Sequence, residues 1–262
     1  MRDKFFGLAM HITSWNINSL KARRDHVERY LAESSPDVLM VQELKGVDFP
    51  NDDFMTLGYH TAAVTQKTYN GVAVFSKTPI KVLSEALKGD DNDEQARFID
   101  FETNGVRLMN VYCPNGNPIG TEKYEYKLSW MARLKIHLEG LIATQTPFII
   151  GGDFNVIPDP KDCYDPSAWA DDALFRLDTQ KAFRPLLNLS LYDAFRIFNN
   201  RPAQYTFWDY QAGAWPKNNG IRIDHFLLSP HMVDRALNCI IDSAPRGWDR
   251  PSDHTPITLE IS

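Results

Sequence analysis

Apolar residues come in short bursts along the chain, and their spacing assigns most of them to strands or helices. His11 to Trp15 reads as a strand, after which Leu20, Val27, Tyr30 and Leu31 recur at helical spacing until Ser34-Ser35-Pro36 ends the pattern. The nearly continuous apolar run Val38 to Gln42 follows. Such a run suits a strand covered on both faces, so the chain opens as a β-α-β unit. Strand-like pieces recur at Tyr59 to Val64, Gly71 to Ser76 and Phe98 to Phe101, the last joined to Val106 to Tyr112 through the hairpin dipeptide Asn104-Gly105. This stretch predicts largely antiparallel sheet. From Glu122 to Ala143, residues Leu128, Met131, Leu134, Leu138, Leu141 and Ile142 mark one face of a long amphipathic helix. Pro147 to Gly151 predicts a further strand and Gln180 to Leu187 a helix. Strands near Tyr205 to Trp208, Arg222 to Leu228, Cys239 to Ile241 and Pro256 to Ile261 finish the chain. The interleaving predicts an α/β fold with two sheets. The strand ending in Gly152-Asp153-Phe154-Asn155 echoes the one ending in Asn16-Ile17-Asn18, which suggests a two-fold repeat whose second half opens at Pro147.

The 262 residues are 43% hydrophobic and contain no Pro/Gly/Ser-rich linker or low-complexity tract, so one domain spanning residues 1–262 is expected. The apolar run Phe5 to Met10 is preceded by Asp3 and is brief for a signal sequence, and residues 1–9 are expected to form a flexible N-terminal extension. Cys113, Cys163 and Cys239 lie far apart, show no C-x-x-C spacing and point to a reducing compartment. No apolar stretch approaches the ~18 residues of a membrane span. A cytoplasmic protein without membrane contact is the expectation. The formal net charge of −6 argues against holding nucleic acid by overall electrostatics. A local basic rim beside an acidic centre would still suit a nuclease.

The acidic and amide residues change the picture more. Asn16, Asn18, Glu43, Asp153, Asn155, Asp224, Asp253 and His254 each sit at the edge of an apolar strand. In layered α/β folds such strand ends converge on one rim. Taken singly, each has an ordinary explanation: Gly152-Asp153-Phe154-Asn155 as a turn, Ser252-Asp253-His254 as a surface loop, Glu43 as a solvated strand end. Taken together they suit an in-line phosphodiester displacement. That reaction needs an activated water, a stabilised oxyanion and a neutralised leaving oxygen. Mg²⁺, with Mn²⁺ able to substitute, fits Glu43 and the amides Asn16 and Asn18, because hard cations take oxygen ligands and keep several waters. No HExxH or cysteine cluster invites zinc. Asp153, Asn155 and His254 divide the remaining tasks, either Asp153 or His254 serving as base, and Asp224 is the candidate partner that orients His254.

Several motifs carry a resemblance: Trp15-Asn16-Ile17-Asn18, Val41-Gln42-Glu43-Leu44-Lys45, Gly71-Val72-Ala73, Tyr112-Cys113-Pro114-Asn115-Gly116, Gly152-Asp153-Phe154-Asn155, Arg222-Ile223-Asp224-His225 and Ser252-Asp253-His254-Thr255-Pro256. In this order, from about residue 12 to the end, the chain resembles the bacterial exonuclease III and apurinic/apyrimidinic endonuclease family. The resemblance implies a four-layer αββα sandwich of two packed, largely antiparallel mixed sheets flanked by helices. Its implied activity is Mg²⁺-dependent incision 5′ to abasic sites, and removal of nucleotides or blocking groups from 3′ ends, on double-stranded DNA by a monomer. By position, Glu43 and Asn16 would bind the metal with Asp253 on the metal side. Asp153 would align or deprotonate the water, Asn155 and His254 would contact the scissile phosphate, and Asp224 would orient His254. Tyr112 and Asn115 would sit against the phosphate, Arg222 and Lys45 would help, and Phe207, Trp208 and Ile221 would line the pocket for a baseless sugar. Leu44 replaces a family threonine, a change expected to be tolerated. Asn18 and Ile221 replace an Asp and a Trp of the animal-type relatives, which bears on substrate preference. The same chemistry would serve a lipid, inositol phosphate or RNA phosphodiesterase, and the Tyr112 to Gly116 and Tyr205 to Tyr210 segments favour DNA over these. A catalytically silent DNA-binding module is opposed by the intact Glu43, Asp153, Asp224 and His254.

Overall fold

A computed structural model describes residues 9–262; the expectation for a flexible N-terminal extension falls almost wholly outside them. Twelve strands and seven helices follow one another as β1 (Met10–Asn16), α1 (Leu20–Glu33), β2 (Val38–Gln42), α2 (Asn51–Thr56), β3 (His60–Val64), β4 (Val72–Ser76), β5 (Lys81–Ser84), β6 (Phe98–Thr103), β7 (Val106–Tyr112), α3 (Glu122–Ala143), β8 (Ile149–Asp153), α4 (Leu177–Asn188), β9 (Tyr192–Asp193), α5 (Ala194–Phe198), α6 (Ala214–Lys217), β10 (Asp224–Leu228), α7 (Pro230–Val233), β11 (Ala236–Ile241) and β12 (Ile257–Ile261). The strands form two six-stranded sheets, ordered β11-β12-β1-β2-β4-β3 and β5-β6-β7-β8-β10-β9. Only β1 with β2 and β7 with β8 run parallel.

Alternation along the central strands explains the layering, because successive side chains point to opposite faces. On β2, Val38 and Met40 enter a core between the sheets with Ile12, Leu108, Ile149, Phe226 and Leu259. Leu39 and Val41 instead face outward with Trp15, packing against Leu20, Val27, Tyr30 and Leu31 of α1 and Phe54 of α2. On the second sheet, Met109, Val111 and Ile150 face outward beneath Trp130, Met131, Leu134 and Leu138 of α3 and Phe183 and Leu186 of α4. Three apolar layers thus separate four structural layers, and strands buried on both faces are the continuous runs seen in the sequence. The expected αββα sandwich is the observed fold.

The two-fold repeat is present, but in a different register from that expected. Each sheet contains a strand, a helical crossover and a parallel partner strand, so β1-α1-β2 corresponds to β7-α3-β8. The second half therefore opens at β7, and Asp153 is the counterpart of the Gln42 end of β2 rather than of Asn16. The Tyr205 to Trp208 segment forms isolated bridges, Phe207 with Ile221 and with His254, instead of a strand, since Trp208 and Tyr205 turn into their own small aromatic core. The short elements α2, β5, β9 and α5 to α7 carry too few residues for a period to be read.

Arg222 requires a correction. It is 1% exposed and its guanidinium is taken up by two carboxylates behind the rim, so it is a support rather than a substrate contact. Its guanidinium donates to Asp162 Oδ1 at 2.7 Å and Asp193 Oδ2 at 2.8 Å, and Arg196 also pairs with Asp162. This cluster ties the 160–162 turn and β9 to the start of β10. Arg222→Met would leave two buried carboxylates short of their main partner. It is expected to lower the unfolding free energy by about 3–5 kcal/mol, measured by urea denaturation; an unchanged midpoint would refute the structural role.

Candidate active site

Strand register assembles the site. Tyr112 of β7, Asp153 of β8 and Asp224 of β10 are consecutive Cα partners across one sheet, so three ends of strands deliver three polar side chains to the same rim. Gly152 makes this row possible. Its φ is +144°, and a Cβ there would lie 2.0 Å from the Val111 carbonyl oxygen. On the other sheet, Asn16 ends β1 beside Gln42, the last residue of β2, and Glu43 follows with φ +59°.

The sheets meet at Asn16. Its Nδ2 donates to Glu43 Oε1 at 2.9 Å and to Asp153 Oδ2 at 3.0 Å, while its Oδ1 accepts from the Asn18 backbone N–H. Behind it, Gln42 Nε2 donates to Asn110 Oδ1 at 2.7 Å across the sheet interface. Glu43 also accepts from Tyr112 Oη at 2.9 Å and pairs with Lys45 Nζ at 2.6 Å. Burial pushes the Glu43 carboxyl up, but Lys45 and the Asn16 hydrogen bond outweigh it, and the net shift is downward.

His254 completes the other side. Its Nδ1 lies 2.8 Å from Asp224 Oδ2 and its Nε2 3.8 Å from Asp153 Oδ2. Ser252 holds the histidine loop by donating to the Asn16 carbonyl at 2.7 Å, and its Oγ accepts from the His254 backbone N–H. Thr206 Oγ1 accepts from the backbone N–H groups of Ile223 and Asp224, fixing the aspartate's approach. Burial alone would depress the imidazole's proton affinity, yet Asp224 and Asp153 raise it well above the ordinary histidine range. Burial and the neighbouring Asp224 likewise raise Asp153, against the pull of His254. The two acidic side chains thus favour the protonated imidazole, while burial favours a proton on Asp153.

The remaining expected residues divide. Asn155, buried with φ +49°, donates its backbone N–H to Asp153 Oδ1 at 2.8 Å and its amide to Cys113 O and Asp153 Oδ2. Asn115 is exposed and donates to Asn155 Oδ1 at 3.2 Å. Asp253 is linked to the centre through Asn18, whose Nδ2 donates to Asp253 Oδ1 at 3.0 Å. Phe207 stacks edge-on to His254 at 5.0 Å, and with Ile221, Tyr164, Trp169 and Asp172 it lines an open cleft of about 350 Å³. Trp208 does not reach that cleft. It is 3% exposed, packs against Tyr205 and Trp215, and donates its indole N–H to Asn218, so it props the Phe207 segment from behind. Leu44 is a core residue against α1 rather than a polar support. Sequence reasoning missed Thr206, Ser252, Gln42 and Asn110 as supports. Ser252 and Gln42 lie inside the recognised motifs and Thr206 inside the Tyr205 to Tyr210 segment, whereas no local pattern marks Asn110.

The metal fit can be judged from the donors. Asp153, Asp224 and His254 bring ligand atoms within 4.8 Å of one another. However, the 2.8 Å contact of His254 with Asp224 uses the imidazole for a proton. The Glu43 carboxylate offers oxygen chemistry suited to a hard divalent cation, and an ammonium already rests on it, but Asn16 turns its Nδ2 toward Glu43 and its Oδ1 accepts from the Asn18 N–H, so its oxygen would have to be released to serve as a ligand.

The family description "Endonuclease/Exonuclease/phosphatase family" matches residues 13–254, and the chain belongs to that family. It is 33% identical over 261 residues to the exodeoxyribonuclease of Bacillus subtilis, covering 97% of this chain and 100% of that relative. Exodeoxyribonuclease III of Haemophilus influenzae is 32% identical over 266 residues, covering 96% and 100%. Among solved structures, a 3′ phosphatase from Neisseria bound to product DNA hairpin superposes with a TM-score of 0.94 at 36% identity, and an AP endonuclease from Archaeoglobus fulgidus with 0.92 at 34%. Each covers 97% of this chain and 99% of its own.

The His254 shift has a definite sign. A histidine whose folded proton affinity is raised adds stability that is complete below its unfolded pKa of about 6.5 and disappears as pH climbs through the folded value. The imidazole NMR titration of His254 should thus fall far above neutral, and Asp224→Asn should lower its midpoint by more than about one unit. A midpoint unmoved by that substitution would remove Asp224 as the supporting charge.

Proposed function

We propose that this chain is a divalent-metal DNA-repair nuclease that incises 5′ to abasic sites and clears nucleotides or blocking groups from 3′ ends of duplex DNA. The observation that carries the reading is the joining of Glu43, Asn16, Asp153, Asp224 and His254 into one hydrogen-bonded rim across both sheets. Full-length relatives with exodeoxyribonuclease names support it.

Glu43 and Asn16, with Asp253 behind Asn18, would hold Mg²⁺, which when bound would neutralise charge on the phosphate and the departing oxygen. The protein's own groups do the rest. Asp153, its proton affinity raised toward neutrality by burial and Asp224, takes a proton from the attacking water. With its raised proton affinity, His254 suits a donor's role rather than that of the base. It donates a hydrogen bond to a phosphoryl oxygen while Asp224 keeps it charged. Tyr112, Asn115 and Asn155 present further donors on the same side. Arg23, Lys45 and Arg97 supply local positive charge around the rim despite the overall −6. Phe207 offers an apolar wall to a sugar without its base, and the fully buried Ile221 backs it. On this reading the chain acts as a monomer in the cytoplasm.

A labelled duplex with one tetrahydrofuran abasic analogue, beside an undamaged duplex with a recessed 3′ end, tests the reading. Internal incision should require Mg²⁺, stop with EDTA and fall about 10²–10⁴-fold in Asp153→Asn. Loss confined to the 3′ end would make exonuclease action the main activity. No cutting of either duplex with Mg²⁺ or Mn²⁺ would end the proposal.

A further inference from the structure

Lys127 lies near the start of α3 and is 0% exposed. An ammonium removed from water costs several kcal/mol unless its protons are well matched. Here Nζ donates to the Asn155 carbonyl at 2.6 Å and to the Asn115 carbonyl at 3.0 Å, and among the described residues no carboxylate pairs with it. These carbonyls belong to two different loops, one leaving β7 and one leaving β8. Each loop carries an amide that faces the site, and the amides are themselves joined by the Asn115 to Asn155 hydrogen bond.

The chain makes room for this lysine. Gly116 has φ +87°, and a Cβ there would come within 2.6 Å of Lys127 Cδ and 3.3 Å of Tyr124 Cδ2. Asn155 adopts its own left-handed backbone directly above the ammonium. Burial pushes the lysine pKa down to about 8, in keeping with a cation held by neutral acceptors.

We infer that Lys127 is a positioning residue for phosphate chemistry: its buried ammonium clamps the Asn115 and Asn155 loops together, so that their amides face the scissile phosphate. This rests on the nuclease reading for its chemical meaning. At 0% exposure the lysine is sealed from the surface. It acts through Asn155, which predicts that its loss should matter little once Asn155 has gone.

Single-turnover cleavage of the tetrahydrofuran duplex by Lys127→Met, Asn155→Ala and the double variant tests this. Lys127→Met alone should slow cleavage on the order of 30-fold with KM nearly unchanged, but in the Asn155→Ala background by less than about threefold. Losses that multiply, or a native rate in Lys127→Met, would overturn the inference. Lys127→Gln keeps one donor and serves if the methionine variant does not fold; it should be intermediate and show the same dependence on Asn155, and a native rate would count against the clamp. Cutting by the unaltered protein tests the nuclease reading separately. Independently of turnover, backbone amide resonances of residues 115–117 and 155 should shift together in Lys127→Gln, and unmoved resonances would refute the clamp.

Discussion

One primary amide holds this site together. Asn16 has two N–H bonds, and it gives one to Glu43 of the first sheet and the other to Asp153 of the second. Two carboxylates brought this close would repel each other and draw the sheets apart at their rim. The amide between them converts that repulsion into two hydrogen bonds, and its own oxygen is satisfied by Asn18. The Gln42 to Asn110 bond behind it fixes the separation of the sheets, so the carboxylates cannot slide past one another. The rest of the constellation is hung on this joint, including the Ser252 hydroxyl that ties the histidine loop to the Asn16 carbonyl.

Around that joint, charge is divided by environment rather than by residue type. Asp153 is buried and Glu43 half-buried, and a lysine draws Glu43 down, whereas burial and Asp224 lift Asp153. One is suited to hold a cation and the other to accept a proton. His254 would be an ambiguous base in isolation, and the two flanking acidic side chains raise its proton affinity. The negative sum over the whole chain is no obstacle to phosphate chemistry, because Arg23, Lys45, Arg97 and Lys127 gather where the strands end.

Burial explains why two expected substrate contacts became supports. Arg222 stands two residues before Asp224, and Trp208 directly after Phe207, so motif position alone would bring both to the cleft. Along an extended chain immediate neighbours point to opposite sides, which turns Trp208 away from Phe207, whereas Arg222 precedes β10 and is drawn away by distant carboxylates. Arg222 finds Asp162 and Asp193, 60 and 29 positions away, and Trp208 finds Trp215 and the Asn218 amide. Both act behind the site, holding the segments from which Asp224 and Phe207 project.

Much of the fold was legible because the determining signals are local. Apolar runs of five to seven residues announced the central strands, the period of α3 announced a helix laid on a sheet, and the residues ending the strands announced where chemistry could gather. Glu43, Asp153, Asn155, Asp224 and His254 could be named as candidates because together they end apolar strands and stand in motifs that resemble one family, although each alone reads as ordinary. Tertiary structure alone decided what pairing across distance controls: the row Tyr112, Asp153, Asp224, the repeat that opens at β7, the Asn16 bridge, and the lysine beneath Asn155. The physical reason is that a polar residue's sequence declares the partner it needs, a carboxylate for Arg222 or a carbonyl for Lys127, but not which distant segment will bring it.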